Sequence, residues 1–433
     1  MNDLINKDRK YVWHPYTQHA YGKENIAIVK GKDALLYDDK GNEYIDIISS
    51  WWVNLHGHAH PHIAKKLSEQ VHKLEHVIFA GFTHEPAVSL AERLLTKLPV
   101  NQSKIFYSDN GSTAVEVALK MAIQYWQNNG EKRKKIIAFH EAYHGDTFGA
   151  MSVSGRSAFT KAFDPYLFDV EKIDAPFPGN EDRALDQLRR LIEGDTQSEI
   201  AAFIYEPLVM GTAGMKIYDA PAFDKLLLLC KEKNILCIAD EVMTGFGRTG
   251  KFFASDYMTQ KPDLVCLSKG LTGGTLPMGI TSCTEDIYLS FYSDDVMKTF
   301  FHGHSFTANP LGCAAANASL DLMEDESVFH KIHHIAEMHS RFSEEVKDDE
   351  NVLDVRCLGT ILAIELKNTG GYSYFSKSRD AIYSHYLSRG ILARPLGNII
   401  YAIPPYCITD AQLEAFYAAS RELLLLMKQN RNT

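Results

Sequence analysis

The feature that most constrains the fold of this chain is a series of short apolar runs that end in polar residues. Runs of strand length occupy residues 104–109, 135–139, 200–207, 235–241 and 264–269. They are rich in Ile, Val and Phe and lack strict alternation, which predicts strands buried on both faces of a parallel sheet. Because ligands in open α/β sheets bind at the carboxyl ends of strands, the polar residues there are the first candidates for a site.

Amphipathic stretches separate these runs, and this alternation predicts an α/β protein. The 433 residues suffice for roughly two or three domains. We expect a large domain with a mostly parallel mixed sheet flanked by helices at residues 60–310, and a smaller α+β domain at residues 311–433. The N-terminal segment 1–59 should contribute to the smaller domain, because residues 33–47 predict a hairpin that needs a partner strand.

Composition argues against several classes of protein. The formal net charge of −10 disfavours a broad nucleic-acid-binding surface. The seven cysteines form no CxxC pair, which predicts reduced and mostly buried thiols in a cytoplasmic protein. No run approaches about 18 apolar residues, and the first residues do not have the pattern of a secretion signal. We therefore expect no membrane association.

Two motifs suggest other chemistries. GFGRTG (245–250) fits the dinucleotide pattern GxGxxG and nearly fits a P-loop, but DEVMT separates it from the preceding strand and Phe252 replaces the P-loop Ser or Thr. HGHAHPH (56–62) carries four histidines at alternate positions without accompanying carboxylates or cysteines. We interpret them as a structural loop and as packing histidines, and expect no metal. A nucleotide-dependent enzyme remains an alternative.

Three of the predicted strands end in residues with distinct chemistry, namely Glu206, Asp240 and Lys269. An ammonium group at the end of a buried strand loses hydration, which lowers its pKa and makes it a nucleophile toward an aldehyde. An aspartate on a neighbouring strand suits the pyridine nitrogen of pyridoxal phosphate, because a protonated ring withdraws electrons from a carbanion. These strand ends predict a site for pyridoxal 5'-phosphate.

A phosphate site is predicted where NGST (110–113) opens a helix. Gly111 permits close approach of the backbone, and the amides and hydroxyls of Ser112 and Thr113 meet an anion at the positive end of the helix. Tyr143 is a candidate cover for the cofactor ring. Each feature also has a plain reading as a cap or an exposed side chain, but together they favour the cofactor site.

Longer segments resemble a known family. YSDNGSTAVEVALKMA, YHGDTFGAMSVSG, IADEVMTGFGRTGKFFA, PDLVCLSKGLTGG and FHGHSFTANPLGCAAA are similar to the class III (ω-)aminotransferases, which are fold-type I pyridoxal-phosphate enzymes. The resemblance extends over essentially the full chain. WHPYTQ (13–18), SSWWVNLHGH (49–58) and RPLGNIIYAIPPY (394–406) resemble the members that convert 8-amino-7-oxononanoate to 7,8-diaminononanoate in biotin biosynthesis. Their amino donor is S-adenosyl-L-methionine.

The resemblance implies a role for each matching residue. Lys269 would form a Schiff base with the cofactor and move the proton, Asp240 would pair with the ring nitrogen, and Tyr16 would take part in catalysis. Further contacts to the cofactor would come from Gly111, Ser112, Tyr143, Glu206 and Val242. Ser305 would reach the cofactor of the second subunit in a homodimer whose active sites lie at the interface. The substrates would contact Tyr16, Trp51, Tyr143, Gly303 and Arg394, and Arg394 would bind the carboxylate of the keto acid.

The resemblance leaves alternatives open. The turn 302–305 reads HGHS, with His304 and Ser305 where the adenosylmethionine-using enzymes have proline and threonine, and some relatives that use lysine as amino donor share it. Lysine is therefore the alternative donor, and another ω-aminotransferase acting on ornithine or 4-aminobutyrate is the alternative enzyme. A non-catalytic protein of the same fold is a third. Asp146 and Arg248 are expected near the rim of the substrate site or behind its lining.

Overall fold

A computed structural model of the chain describes residues 3–20, 24–367 and 377–431. The strands are β1 (Ile28–Lys32), β2 (Leu35–Asp38), β3 (Glu43–Asp46), β4 (Gln102–Ser108), β5 (Lys135–Phe139), β6 (Glu171–Ile173), β7 (Ile200–Tyr205), β8 (Val209–Met210), β9 (Lys216–Ile217), β10 (Leu236–Asp240), β11 (Leu264–Leu267), β12 (Gly279–Thr284), β13 (Val352–Leu358), β14 (Ile361–Leu366), β15 (Ile391–Leu392) and β16 (Ile399–Ala402).

The helices are α1 (Asp3–Tyr11), α2 (Ser49–Trp52), α3 (Pro61–Lys73), α4 (Glu85–Lys97), α5 (Gly111–Asn128), α6 (Phe148–Val153), α7 (Glu181–Gly194), α8 (Ala220–Glu232), α9 (Glu285–Phe291), α10 (Pro310–Met323), α11 (Glu326–Val346), α12 (Lys377–Leu387) and α13 (Asp410–Arg431). The segment α2 is a short turn with left-handed backbone angles rather than a regular helix. Short 3₁₀ helices lie at Asp164–Tyr166, Ala254–Tyr257, Lys269–Thr272 and Val296–Lys298.

The largest sheet has the strand order β4-β12-β11-β10-β7-β5-β6. The pairs β11–β10, β10–β7, β7–β5 and β5–β6 are parallel, whereas β12 runs antiparallel to both β11 and β4. The five apolar runs correspond to β4, β5, β7, β10 and β11. The predicted α/β class with a mostly parallel mixed sheet is therefore confirmed, and β12 is a strand that the sequence analysis missed.

Both faces of this sheet are buried, as the missing alternation predicted. On one face, Phe203 and Tyr205 of β7 pack against Phe223 of α8, with ring centres 6.2 and 4.6 Å apart. On the other face, Ile204 belongs to the cluster that includes Ala118 of α5. All six residues of β7 are buried. The sheet therefore has helices on both sides and leaves its strand ends free to form a site.

The predicted N-terminal hairpin is confirmed as β2–β3, which forms a four-stranded sheet in the order β1-β2-β3-β15. Strand β15 pairs parallel with β3, so the C-terminal part of the chain supplies the partner strand. Strands β13, β14 and β16 form a separate antiparallel sheet. The domain boundaries at 1–59, 60–310 and 311–433 stay a prediction. Helix α10, which begins at residue 310, packs against α3 and α4 of the predicted large domain.

The nucleotide-like motif and the histidine-rich motif both have structural roles in the described residues. GFGRTG (245–250) forms buried turns, and its Arg248 guanidinium donates to the carbonyls of Pro404 (2.8 Å) and Asn54 (3.0 Å). This buried position does not suit the substrate rim, and Arg248 instead joins distant parts of the chain.

The histidines of residues 56–62 have separate partners. His56 bonds Ser319, while His62 bonds Asp321. All seven cysteines lie in the described part of the chain without disulfide bonds; five are buried and two half-buried. Within the same part, no helix has the length and apolar character needed to cross a membrane.

Candidate active site

A cavity of about 640 Å³ lies at the carboxyl ends of β7, β10 and β11, beside the start of α5. The sheet topology brings these ends together because β7, β10 and β11 are adjacent and parallel. The lining includes seven predicted site residues, which are Gly111, Ser112, Tyr143, Glu206, Asp240, Val242 and Lys269. Asp146 and the unpredicted His144 and Trp52 also line it.

Lys269 lies two residues after the end of β11, at the start of a 3₁₀ helix, and has a φ of 45°. Its ammonium nitrogen lies 4.6 Å from the ring centre of Trp52. Burial lowers the pKa of Lys269 from 10.5 to about 8, although the nearby Asp240 and Glu206 carboxylates act in the opposite direction. The amine is therefore neutral, and a competent nucleophile, over part of the physiological pH range.

Asp240 is the last residue of β10 and is 6% exposed. One carboxylate oxygen, Oδ2, lies 2.7 Å from Nδ1 of His144, and Oδ1 accepts from the backbone amide of Val242 at 3.1 Å. The other ring nitrogen of His144, Nε2, is buried and has no hydrogen-bond partner in the described residues. Because a carboxylate offers about four acceptor positions, Asp240 can still accept from a group in the cavity.

Glu206 follows β7 and is 5% exposed. Its Oε1 accepts from the amide of Tyr143, and its Oε2 accepts from the amide of Gly211, both at 3.0 Å. Burial raises the pKa of Glu206 to about 8. The side chain therefore holds a proton at neutral pH and also fixes the backbone that carries Tyr143.

The start of α5 is shaped to receive an anion. Asn110 and Thr113 cap each other: the Thr113 amide donates to Oδ1 of Asn110 (3.0 Å), and the Asn110 amide donates to the Thr113 hydroxyl (3.1 Å). The Thr113 amide is therefore already bonded, contrary to its predicted contact with the phosphate. A Cβ atom on Gly111 would lie 2.8 Å from Cγ1 of Val242, and one on Gly145 would overlap the side chain of Ser112. The amides of Gly111 and Ser112 at the start of the helix, together with the helix dipole, favour a phosphate there.

Three predicted substrate residues meet beside the cavity. The phenol of Tyr16 donates to the carboxylate of Asp146, which lines the cavity, and its ring centre lies 5.5 Å from that of Trp51. The guanidinium carbon of Arg394 lies 4.6 Å from the Trp51 ring centre. Arg394 forms no ion pair with any described residue, so its charge is available to an anionic ligand.

The remaining predicted residues lie elsewhere. Gly303 and Ser305 are exposed and do not line this cavity. Trp51 also lies outside the lining, and it is the adjacent Trp52 that faces Lys269. His144 was missed by the sequence analysis, although its position next to Tyr143 was a usable signal.

The chemistry of this cavity fits pyridoxal 5'-phosphate. The amine of Lys269 suits the aldehyde, the Asp240 carboxylate suits the protonated ring nitrogen, and the α5 terminus suits the phosphate. Gly111 supports the fit, because any larger residue would enter the space where the helix start approaches Val242.

Comparisons with known proteins identify the family to which the chain is similar. The profile of the family Aminotransferase class-III matches residues 16–423. The chain is 46% identical to the adenosylmethionine-8-amino-7-oxononanoate aminotransferase of Synechococcus elongatus, over 96% of this chain and 98% of the relative. It is 39% identical to the protein of the same name from Geobacter sulfurreducens, over 95% of each.

Solved structures show the same relationship. The adenosylmethionine-8-amino-7-oxononanoate aminotransferase of Methanocaldococcus jannaschii superposes with a TM-score of 0.91 at 38% identity, over 97% of this chain and 98% of the other. An ω-transaminase from Pseudomonas jessenii in complex with PMP gives a TM-score of 0.91 at 26% identity, over 96% of each chain. On this evidence, the chain belongs to the class III aminotransferases.

Proposed function

We propose that this enzyme transfers an amino group from S-adenosyl-L-methionine to 8-amino-7-oxononanoate, giving 7,8-diaminononanoate for biotin biosynthesis. The observation that carries the proposal is the convergence of Lys269, Asp240 and the start of α5 on one cavity. The names of relatives that match over nearly the whole chain support the choice of substrates. Pyridoxal 5'-phosphate is the proposed cofactor.

The cofactor, when bound, supplies an aldehyde that accepts amines and a ring that withdraws electrons. Lys269 Nζ is the base that takes the proton from the amine-bearing carbon of the donor and returns one to the keto acid in the second half of the cycle. Asp240, held by His144 and the Val242 amide, keeps the ring nitrogen protonated. The buried Glu206 holds a proton near neutral pH and offers a donor to the ring.

Binding and orientation fall to the rest of the lining. Gly111 and Ser112 hold the phosphate at the α5 terminus. Tyr143 and Val242 both line the cavity and would enclose the ring of a bound cofactor, which would exclude water from the reacting carbon. The bond from the Tyr143 amide to Glu206 keeps the Tyr143 backbone in place during both half-reactions.

Substrate selection is assigned to the residues beside the cavity. Arg394 binds the carboxylate of 8-amino-7-oxononanoate as a two-pronged donor, which suits its planar guanidinium. Tyr16 and Trp51 give aromatic faces for the adenine and the sulfonium of the donor. The bond from the Tyr16 hydroxyl to Asp146 fixes the phenol near the reacting centre.

We further propose a cytoplasmic homodimer in which Gly303 and Ser305 complete the active site of the other subunit. The exposed position of Ser305 in its own chain supports this. Phe301 and Phe306, which flank it in the sequence, are 65% and 62% exposed, and an apolar surface of this kind favours burial against a partner.

The test is amination of 8-amino-7-oxononanoate by the purified holoenzyme, with the diamine product identified by mass spectrometry. Adenosylmethionine, lysine, ornithine and 4-aminobutyrate are supplied in turn, and Lys269→Ala is the inactive control. We expect adenosylmethionine to be the effective donor. Turnover with lysine but not with adenosylmethionine would identify lysine as the amino donor, the alternative that the HGHS turn (302–305) suggests. No amination from any donor would overturn the proposed reaction.

A further inference from the structure

Four consecutive residues beside the active site have left-handed backbone angles. The φ values are 50° for Ser49, 54° for Ser50, 108° for Trp51 and 70° for Trp52. None of these residues is glycine, so each disfavours this conformation through its Cβ atom. Such a run persists only where the surrounding structure determines it, and strain of this kind concentrates at functional sites.

Asp46, at the carboxyl end of β3, holds this run. It is fully buried, and its Oδ1 accepts from the amides of Ser50 (2.9 Å) and Ile48 (3.3 Å). Its Oδ2 accepts from the Ser50 hydroxyl at 2.7 Å and lies 2.9 Å from Nε2 of His58. Nδ1 of His58 lies 3.2 Å from the side-chain amide nitrogen of Asn54 and can accept from it. This arrangement leaves Nε2 of His58 to donate to Asp46.

The left-handed run sets the position of both indoles. The Trp52 indole donates to the Tyr401 hydroxyl at 3.1 Å, and its ring lies 4.6 Å from the Lys269 nitrogen. The neighbouring Trp51 points to the other side, between Tyr16 and Arg394. Any other backbone path through this turn would redirect at least one of the two rings.

The same aspartate also lies next to the strand that leads to the predicted carboxylate-binding arginine. In the parallel pair of β3 and β15, Asp46 is in register with Leu392, two residues before Arg394. The segment that carries the indoles and the segment that carries Arg394 therefore meet at Asp46. A substitution of Asp46 should therefore affect the positions of both the indoles and Arg394.

We propose that Asp46, supported by His58, is a positioning residue that fixes the Ser49–Trp52 run and so sets the substrate pocket. The inference rests on the proposed function, because the ligand it concerns is the keto acid bound by Arg394. Asp46 does not line the cavity, and its side chain bonds Ile48, Ser50 and His58. Its effect therefore passes through the backbone of the run and through β15.

The test substitutes Asp46→Asn, which keeps the size of the side chain but replaces one acceptor oxygen with a donor. The matched control is Asp38→Asn at the end of β2. Asp38 is also buried and accepts from the amides of Lys40 (2.9 Å) and Asn42 (2.8 Å), but its bonds close the hairpin turn instead. A general weakening of the sheet would affect both variants.

Two readouts are measured on the holoenzyme. The first is ¹⁹F NMR after 5-fluorotryptophan labelling, with the four tryptophans assigned by single Trp→Phe changes. We expect the Trp51 and Trp52 resonances to move in Asp46→Asn while Trp13 and Trp126 stay in place. The second is kinetics, where KM for the keto acid should rise about tenfold while kcat changes less than about threefold.

The outcomes separate the proposal from the proposed function. Asp46→Asn resonances identical to wild type, or equal shifts in Asp38→Asn, would overturn the positioning role. If Asp46→Asn does not fold, His58→Gln removes only one partner of Asp46 and should move the same two resonances by less; no movement there counts against the proposal. Failure of the wild-type enzyme to aminate the keto acid would reject the function, while the NMR result would still decide the role of Asp46.

Discussion

Lys269 should react as a neutral amine at a much lower pH than an ordinary lysine, and replacement of Asp240 by asparagine should lower that pH further. Burial disfavours the charged form of the amine and brings its pKa to about 8. The Asp240 and Glu206 carboxylates oppose this effect, since a nearby negative charge favours the ammonium. Asp240→Asn removes the carboxylate that acts more strongly, so the pKa of Lys269 should fall.

The size of the effect follows from these pKa values. An amine with a pKa of about 8 is neutral in about one molecule in ten at pH 7, whereas an amine with a pKa of 10.5 is neutral in about one in three thousand. The gain in nucleophilic amine at neutral pH is therefore about 300-fold. Only the neutral form attacks an aldehyde, so reactivity should climb with pH and level off above about 8.

The assay is reductive methylation of the apoprotein with formaldehyde and a mild borane, followed by peptide mass spectrometry across a pH series. Formaldehyde has no charge of its own, so the pH profile reports the lysine. The exposed Lys40 serves as an internal reference in the same samples. Restricted access lowers the rate at Lys269 but does not move the midpoint of its profile.

The reasoning is refuted if the reactivity of Lys269 continues to rise through pH 10 in parallel with Lys40. It is also refuted if Asp240→Asn moves the Lys269 midpoint to higher pH, because the carboxylate would then not favour the ammonium form.

Three further predictions concern other parts of the site. Gly111→Ala places a Cβ atom 2.8 Å from Cγ1 of Val242 and should weaken cofactor binding, measured as Kd by fluorescence titration. A second substitution, Val242→Ala, should restore part of the lost affinity, and an affinity that stays low would count against the steric explanation. Arg394→Ala should raise KM for the keto acid about 10- to 100-fold, and Arg394→Lys should raise it less, because lysine keeps the charge but not the two-pronged geometry. An unchanged KM in Arg394→Ala would contradict the role assigned to Arg394. Ser305→Asp should repel the cofactor phosphate in the partner subunit, and Lys269→Ala should be inactive in its own subunit. A mixed dimer of the two variants has one active site with both Lys269 and Ser305, so coexpression should restore activity that neither variant has alone. If mixed dimers stay inactive, Ser305 does not act across the interface.

The sequence predicted the strands whose environment is uniformly apolar. Strand β12 was missed because its residues, GITSCT, carry hydroxyl groups that do not look buried. In the structure, the Thr281 hydroxyl donates to the Ala114 carbonyl at 2.7 Å, and the Ser282 hydroxyl donates to Gln102 at 2.6 Å. Tertiary hydrogen bonds offset the cost of burying these groups, and no local pattern in the sequence reveals such partners.

The candidate site, like the fold, was predicted only in part from the sequence. Lys269, Asp240 and Glu206 were predicted to converge because the carboxyl ends of parallel strands share one edge of the sheet. The partner of Asp240, His144, is 96 positions away. Its position next to Tyr143 indicates that it lies near the site, but not that it bonds Asp240. The left-handed run that presents Trp52 to Lys269 was likewise hidden, because no glycine marks those positive φ angles.

The most direct test of the central claim is borohydride reduction of the holoenzyme followed by peptide mapping. The account predicts one pyridoxyl group per chain, attached to Lys269, and loss of this label after preincubation with a competent amino donor. A label on another lysine, or a protein that takes up no pyridoxal 5'-phosphate, would contradict the assignment of this cavity as the active site.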